Sequence, residues 1–148
     1  MNIGIDIGWT IKGVRHPEID FDKIAPDSFR IISNLIKRGD NVYLISKCNS
    51  AQKENVEKWL KDSDFFNNTG VNPNNLYFCF ERKDKSLFVK ALDIQIMIDD
   101  RTEVMAHLSP LVVKFLINPV TIDYDKHSRH LFNCKVVTDW LQIERALF

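Results

Sequence analysis

Residues 1–14 read MNIGIDIGWTIKGV. Their first half is a short, isoleucine-rich apolar run, the pattern of a strand buried on both faces. The run closes on a carboxylate, Asp6, and passes into Gly8 and Thr10, so a polar group stands where strand becomes loop. In sheets of parallel strands, ligands bind beyond the carboxyl ends of the strands, which makes Asp6 the first candidate for chemistry.

Outward from this stretch the chain alternates. Residues 14–26 (VRHPEIDFDKIAP) form a polar connection with two prolines and room for a short hairpin. A helix is expected over 26–39, with Pro26 and Asp27 in its first turn and Phe29, Ile32, Leu35 and Ile36 on one face. Lys37 and Arg38 complement its C-terminal dipole before Gly39 stops it. NVYLIS is a second strand ending in Ser46. The next helix is capped by Asn49 or Ser50, with Val56, Trp59 and Leu60 inward. NLYFCF is a third strand. The short helix DKSLFVKALD has Asp84 as its cap and Leu87, Phe88, Ala91 and Leu92 on its buried side. IQIMIDD is a fourth strand ending in Asp99 and Asp100, RTEVMAHL a short helix, and VVKFLI a fifth strand. HSRH, carrying His127 and His130, has no apolar period and reads as a solvated loop. KVVTDW and LQIERALF close the chain as strand and helix. Strands alternating with helices mean crossover units and a parallel sheet covered on both faces. The expected class is α/β: one three-layer, Rossmann-like domain over 1–148.

Composition narrows the function. With 148 residues, 45% apolar and 27% charged, the chain is long enough for a full core and ordinary for a globular protein. Net charge is zero with both signs interspersed, so no basic field favours nucleic acid. The apolar runs are strand-sized, against about 20 residues for a membrane span. The N-terminus lacks a signal-peptide pattern, and the expected location is the cytoplasm. Cys48, Cys79 and Cys134 are odd in number and far apart, which argues against a disulfide framework or a zinc site.

Two resemblances compete for the opening stretch. GIDIGWTIKG resembles the first phosphate loop of the sugar-kinase and actin group. That group needs two such domains and a glycine-rich adenosine site, whereas this chain has five glycines and none after Gly70. The whole chain better resembles the haloacid dehalogenase superfamily, at four stations in order. An apolar strand ending in D-x-D-x-[TV] is its first motif, matched by Asp6 and Thr10. A strand ending in Ser or Thr is the second, matched by Ser46. A lysine opening a helix is the third, matched by Lys85, with Lys83 and Lys90 as neighbours. A strand ending in paired acids is the fourth, matched by Asp99 and Asp100.

The resemblance implies an Mg²⁺ held by Asp6, the backbone carbonyl of Gly8 and one or both of Asp99 and Asp100. Lys85 would neutralise Asp6 and a phosphate oxygen, and Ser46 would bind another oxygen. Asp6 would attack phosphorus, giving an aspartyl-phosphate that water cleaves. Each residue alone has a plainer reading. The paired aspartates could cap the following helix, Lys85 could be a solvated helix lysine, and Ser46 could bond backbone at a strand end. Trp9 is either core filling or a lid over substrate.

The chain departs from the pattern at Gly8, where the family carries a second aspartate that moves the proton of the leaving group. General acid–base help of that kind is worth roughly 10²–10⁴-fold. Three outcomes stay open: another group such as His16 or Lys12 supplies the proton; the substrate has a leaving group that needs none; or the site only binds phosphate or metal. Glycine also leaves open a positive φ at this position. No cap domain fits between Asp6 and Ser46 or between Ser46 and Lys85. A capless, open site suits a phosphate on a large partner, or a small substrate enclosed by oligomerisation.

Overall fold

The computed structural model describes every residue from Met1 to Phe148. Six parallel strands form one sheet: β1 (Asn2–Ile5), β4 (Asn41–Lys47), β5 (Leu76–Cys79), β6 (Ile96–Asp99), β7 (Val113–Ile117) and β8 (Cys134–Val137). Their order across the sheet is β5-β4-β1-β6-β7-β8. The chain builds outward from β1 through β4 to β5, then returns to β1's other side and builds through β6 to β8. That reversal opens a crevice at the carboxyl end of β1, beside both β4 and β6. The remaining strands, β2 (Lys12–Val14) and β3 (Asp20–Ile24), pair antiparallel as a hairpin off the loop after Asp6; β3 lies in the segment read as a polar connection, and β2 begins before it.

Side-chain alternation sorts the sheet into two cores. Ile3 and Ile5 of β1, Val42 and Leu44 of β4, and Ile96 and Ile98 of β6 join the larger one. It is covered by α1 (Ser28–Lys37), α2 (Ser50–Asp62), α3 (Phe65–Thr69) and α7 (Trp140–Leu147), through Ile32, Leu35, Trp59, Phe65 and Trp140 among others. Ile45 and Met97 face the opposite side with Val89, Met105 and Leu108, under α4 (Lys85–Ala91) and α5 (Thr102–Ala106). Gly4 belongs to that face because a Cβ there would stand 2.8 Å from Met97 Sδ. The last helix, α6 (Thr121–His127), packs beside α5.

Several expectations shift in detail. Helix α1 begins at Ser28, two residues late, because the Ser28 N–H closes a turn onto the Ala25 carbonyl at 3.1 Å. Pro26 lies outside the helix, and Asp27 is left-handed with φ 67° and caps nothing through its side chain. Asn49 rather than Ser50 caps α2, in a reciprocal box with Gln52. Helix α4 is rotated from its apolar reading: Lys85 and Val89 are its buried residues, while Leu87 is 65% exposed and Ala91 is exposed. Phe88 and Leu92 do pack on the smaller core. The stretch read as a loop at HSRH is ordered, with α6 ending at His127 and a 3₁₀ turn over Ser128–His130. All three cysteines are free thiols, and burial pushes each above the usual thiol range.

One buried cation escaped the sequence reading. Lys114 of β7 is buried, and its ammonium donates to the carbonyls of Ser109, Val112 and Phe132 at 2.9, 2.9 and 2.7 Å. Those bonds offset the desolvation that lowers its pKa, and they tie the loops at the amino ends of β7 and β8 together. It lies in the sheet with no part in the crevice at β1. No helix is long and apolar enough to cross a membrane.

Candidate active site

Four strand and helix ends converge at the crevice. Asp6 follows β1, Ser46 is next to last in β4, Asp99 ends β6 with Asp100 one residue on, and Lys85 opens α4. Asp6, Ser46, Lys85 and Asp100 line one cavity of about 230 Å³ with Gly8, Trp9, Lys12, Phe21, Arg82 and Arg101. The Lys85 ammonium is fully buried and donates to Asp6 Oδ1 at 2.7 Å and Asp99 Oδ2 at 2.8 Å. Burial alone would depress its pKa, but the two carboxylates outweigh that and raise it, so Lys85 stays charged. The solvated-lysine reading of Lys85 is therefore wrong, and the rotation of α4 follows from this pairing: the helix turns its lysine, not Leu87, toward the strand ends.

Thr10 Oγ1 donates to Asp6 Oδ2 at 3.2 Å, so each oxygen of the Asp6 carboxylate has a donor. Thr10 is itself anchored by the Trp140 indole N–H, which donates to its carbonyl at 2.9 Å from the far end of the chain. Asp99 Oδ1 accepts from the Arg101 N–H at 3.0 Å. Neither aspartate caps α5: its N-cap is Arg101, and the Thr102 N–H goes instead to Asp123 Oδ2 at 2.7 Å. Ser46 Oγ lies 3.3 Å from Cys48 Sγ, a weak partner, and so keeps bonding capacity toward the cavity.

Asp100 is the exposed nerve of this arrangement. Its Oδ2 is buried without a hydrogen-bond partner, and Arg15 Nη2 at 3.6 Å is too distant to supply one. Burial first, then the charges of Asp6 and Asp99, push its carboxyl up to about 9. Burial and Asp6 likewise raise Asp99, to about 6, against the pull of Lys85. Asp6, Asp99 and Asp100 each offer an oxygen within 4.8 Å of the others. Three carboxylates with one buried ammonium, all-oxygen donors and one oxygen left unpaired make a donor set that fits a hard divalent cation.

Around this centre the loop after Asp6 differs from expectation. Gly8 is not in the left-handed region; Trp9 is, at φ 61°. A Cβ on Gly8 would make ordinary contact with the Phe21 ring at 3.6 Å. Trp9 stacks on Phe21 with centroids 4.8 Å apart and lines the cavity, a wall rather than core filling. Of the two substitute acids considered, Lys12 reaches the cavity, whereas His16 is exposed and lines a separate hollow. His127 sits with Glu103 and Asp123 in a half-exposed cluster outside this cavity; His130 takes no part in it.

No family model matches this chain, and no curated protein matches it in sequence. Solved structures do. D,D-heptose 1,7-bisphosphate phosphatase from B. bronchiseptica, complexed with magnesium and phosphate, aligns with TM-score 0.69 and 10% identity over 99% of this chain and 97% of its own. The phosphatase of the same name from Burkholderia thailandensis aligns with TM-score 0.62 and 15% identity, over 98% and 96%. A haloacid dehalogenase-like hydrolase from Burkholderia xenovorans LB400 gives 0.61 and 10%, over 88% of this chain and 60% of that one. The chain therefore has the haloacid dehalogenase-like fold, an α/β Rossmann-like sheet, as the four sequence stations led one to expect.

Proposed function

We propose that this protein is a single-domain, capless cytosolic phosphohydrolase that accepts a phosphoryl group on Asp6 and depends on Mg²⁺. The observation that carries the reading is the Asp6 carboxylate itself, held at a strand end by Lys85 at 2.7 Å and Thr10 at 3.2 Å beside an unpaired buried oxygen of Asp100. Asp6, Asp99, Asp100 and the Gly8 carbonyl would hold the ion. When bound, Mg²⁺ supplies the positive charge that lets an anionic nucleophile meet an anionic phosphate. Lys85 orients Asp6 and neutralises a phosphate oxygen, and Ser46 Oγ binds another. Asp6 attacks phosphorus in line, and water later cleaves the aspartyl-phosphate. Gly8 can carry no proton in either step, which makes the enzyme slow or specialised. The same absence favours a second reading, a phosphate- or metal-binding regulatory module.

Beryllium fluoride separates the two. With Mg²⁺ it should form a trifluoroberyllate on Asp6, seen as a bound ¹⁹F resonance in the parent and lost in Asp6→Asn. Mg²⁺ binding without that resonance favours the binding module.

The ion itself is tested by melting. Because the folded pKa of Asp100 stands at about 9, above the unfolded value of about 3.9, the metal-free folded protein keeps a proton that the unfolded chain has released. This contribution to stability is complete below pH ~4 and is lost as pH rises toward 9. Mg²⁺ competes with that proton, so its benefit grows over the same window. At pH 8, Mg²⁺ at ten times its Kd should add about 1.4 kcal/mol, a rise of roughly 3–5 °C for a chain of this size. The rise should shrink at pH 5. Asp100→Asn should blunt it at both pH values while raising the metal-free Tm at pH 8. A parent that melts alike with and without millimolar Mg²⁺ at pH 8 has no such site.

A further inference from the structure

The space in front of Gly8 is occupied from the hairpin. A Cβ on Gly8 would stand 3.6 Å from Cε1 and Cζ of Phe21. Lys12 Nζ lies 3.3 Å from the centroid of the same ring, and its side chain is only 5% exposed. Its acidic contact, Asp22 Oδ1 at 3.3 Å, belongs to a side chain 88% exposed, so water and salt screen that pair and leave Lys12 charge available to the cavity. Trp9 completes the wall, and its backbone shows that the wall is held there at a cost. A left-handed φ, here 61°, disfavours a residue of this bulk. Gly13 makes the posture feasible, since a Cβ there would come within 2.9 Å of Trp9 Cε3. Arg15 then covers the indole, its guanidinium carbon 4.4 Å from the ring.

A fixed ammonium cannot do all that a carboxylic acid does. It stabilises a departing oxygen that remains an anion, and the Phe21 ring edge that faces Gly8, with Trp9 beside it, offers a flat ring an edge-on apolar contact. We propose that Lys12, Phe21 and Trp9 form a leaving-group subsite selective for phosphate monoesters and anhydrides whose leaving group departs as a flat, delocalised anion, namely aryl and acyl phosphates. This rests on phosphoryl transfer to Asp6. As the bond from Asp6 oxygen to phosphorus forms, the bond from phosphorus to the leaving oxygen breaks. Its electron pair stays on that oxygen, which takes up no proton and leaves as a phenolate or carboxylate paired with the Lys12 ammonium. Water then supplies the hydroxyl that regenerates the Asp6 carboxylate and releases phosphate, its other proton passing to solvent.

The test is a leaving-group series, 4-nitrophenyl, phenyl and n-butyl phosphate, with Mg²⁺ and the full chain. Lys12→Met should cost about tenfold in kcat/KM on phenyl phosphate and clearly less on 4-nitrophenyl phosphate, whose anion needs least help. Lys12→Arg should recover most of the loss, and melting curves confirm that both variants fold. An unchanged slope across the series, with or without a uniform loss, overturns the role of Lys12. A second readout needs no turnover. Phe21→Ala should weaken phenylphosphonate about tenfold in titration calorimetry and leave inorganic phosphate within about twofold; equal effects on both ligands overturn the aromatic wall. Turnover retained in Asp6→Asn strikes the phosphoryl-transfer reading instead, and the phosphonate comparison still judges the subsite.

Discussion

Asp6→Asn is expected to lower turnover of 4-nitrophenyl phosphate by at least about 10⁴-fold while leaving the protein folded. The amide is nearly isosteric with the carboxylate but offers no anionic oxygen to phosphorus, so no aspartyl-phosphate forms. The fold should tolerate the change for an electrostatic reason. Lys85 keeps Asp99 as a partner at 2.8 Å, and the amide oxygen can still accept from Thr10. Of the three carboxyl groups within 4.8 Å of one another, the change also removes the negative charge that raises Asp99 and Asp100. The opposite change, Lys85→Met, would strand Asp6 and Asp99 in a buried site without their ammonium, the kind of break that costs several kcal/mol. The measurement is a side-by-side assay and melting curve, with intact-mass analysis for the phosphorylated intermediate. An Asp6→Asn protein that folds and retains turnover would show that another group does the chemistry.

Much of this site was legible because each of its carboxylates and its serine sits where a periodic pattern ends. Ile3 and Ile5 alternate with Gly4, and the alternation stops at Asp6; Ile96 and Ile98 alternate with Met97 and stop at Asp99. Strand ends of a parallel sheet share one edge, so residues far apart in sequence could be placed together before any contact was seen. The misplaced elements have local causes. Helix α4 was oriented by its apolar residues, yet the ion pairs of Lys85 with Asp6 and Asp99 set its rotation and left Leu87 in water. Helix α6 carries no buried residue, so no apolar period could reveal it; Asp123 tethers it to the start of α5 through the Thr102 N–H. The hairpin was recognised only as a possibility of the loop, and its face toward the cavity was invisible. Phe21 meets Trp9 and Lys12 through a turn whose shape depends on the left-handed φ of Trp9, which no residue preference announces.

Gly8→Asp should make phosphoryl transfer to Asp6, as proposed, less dependent on the leaving group. A nitrophenolate departs near neutral pH without a proton, whereas an alkoxide of pKa about 15 needs one as the bond breaks. The parent should therefore favour aryl over alkyl phosphates by a wide margin in kcat/KM, and the variant should narrow that margin to the extent that its new carboxyl carries a proton. The loop admits the side chain: Gly8 has no positive φ to protect, and the nearest atoms to a new Cβ are those of the Phe21 ring at 3.6 Å. Little strain is expected, and a melting curve beside the assay checks that. The new carboxyl would share the Phe21 ring with Lys12, whose ammonium favours its charged form. A charged carboxylate is a base before it is an acid, so the larger gain should come in the second step, where it activates water against the aspartyl-phosphate. That step should speed up by as much as roughly 10²-fold, seen as loss of the intermediate in rapid-quench experiments. Adding Lys12→Met should let the carboxyl protonate and so raise the alkyl rate further. A parent that hydrolyses n-butyl phosphate as readily as 4-nitrophenyl phosphate already has a proton donor that the cavity does not reveal. If neither parent nor variant turns over any phosphate while both bind Mg²⁺, restoring a proton carrier at residue 8 was not what the site lacked, and binding is its function.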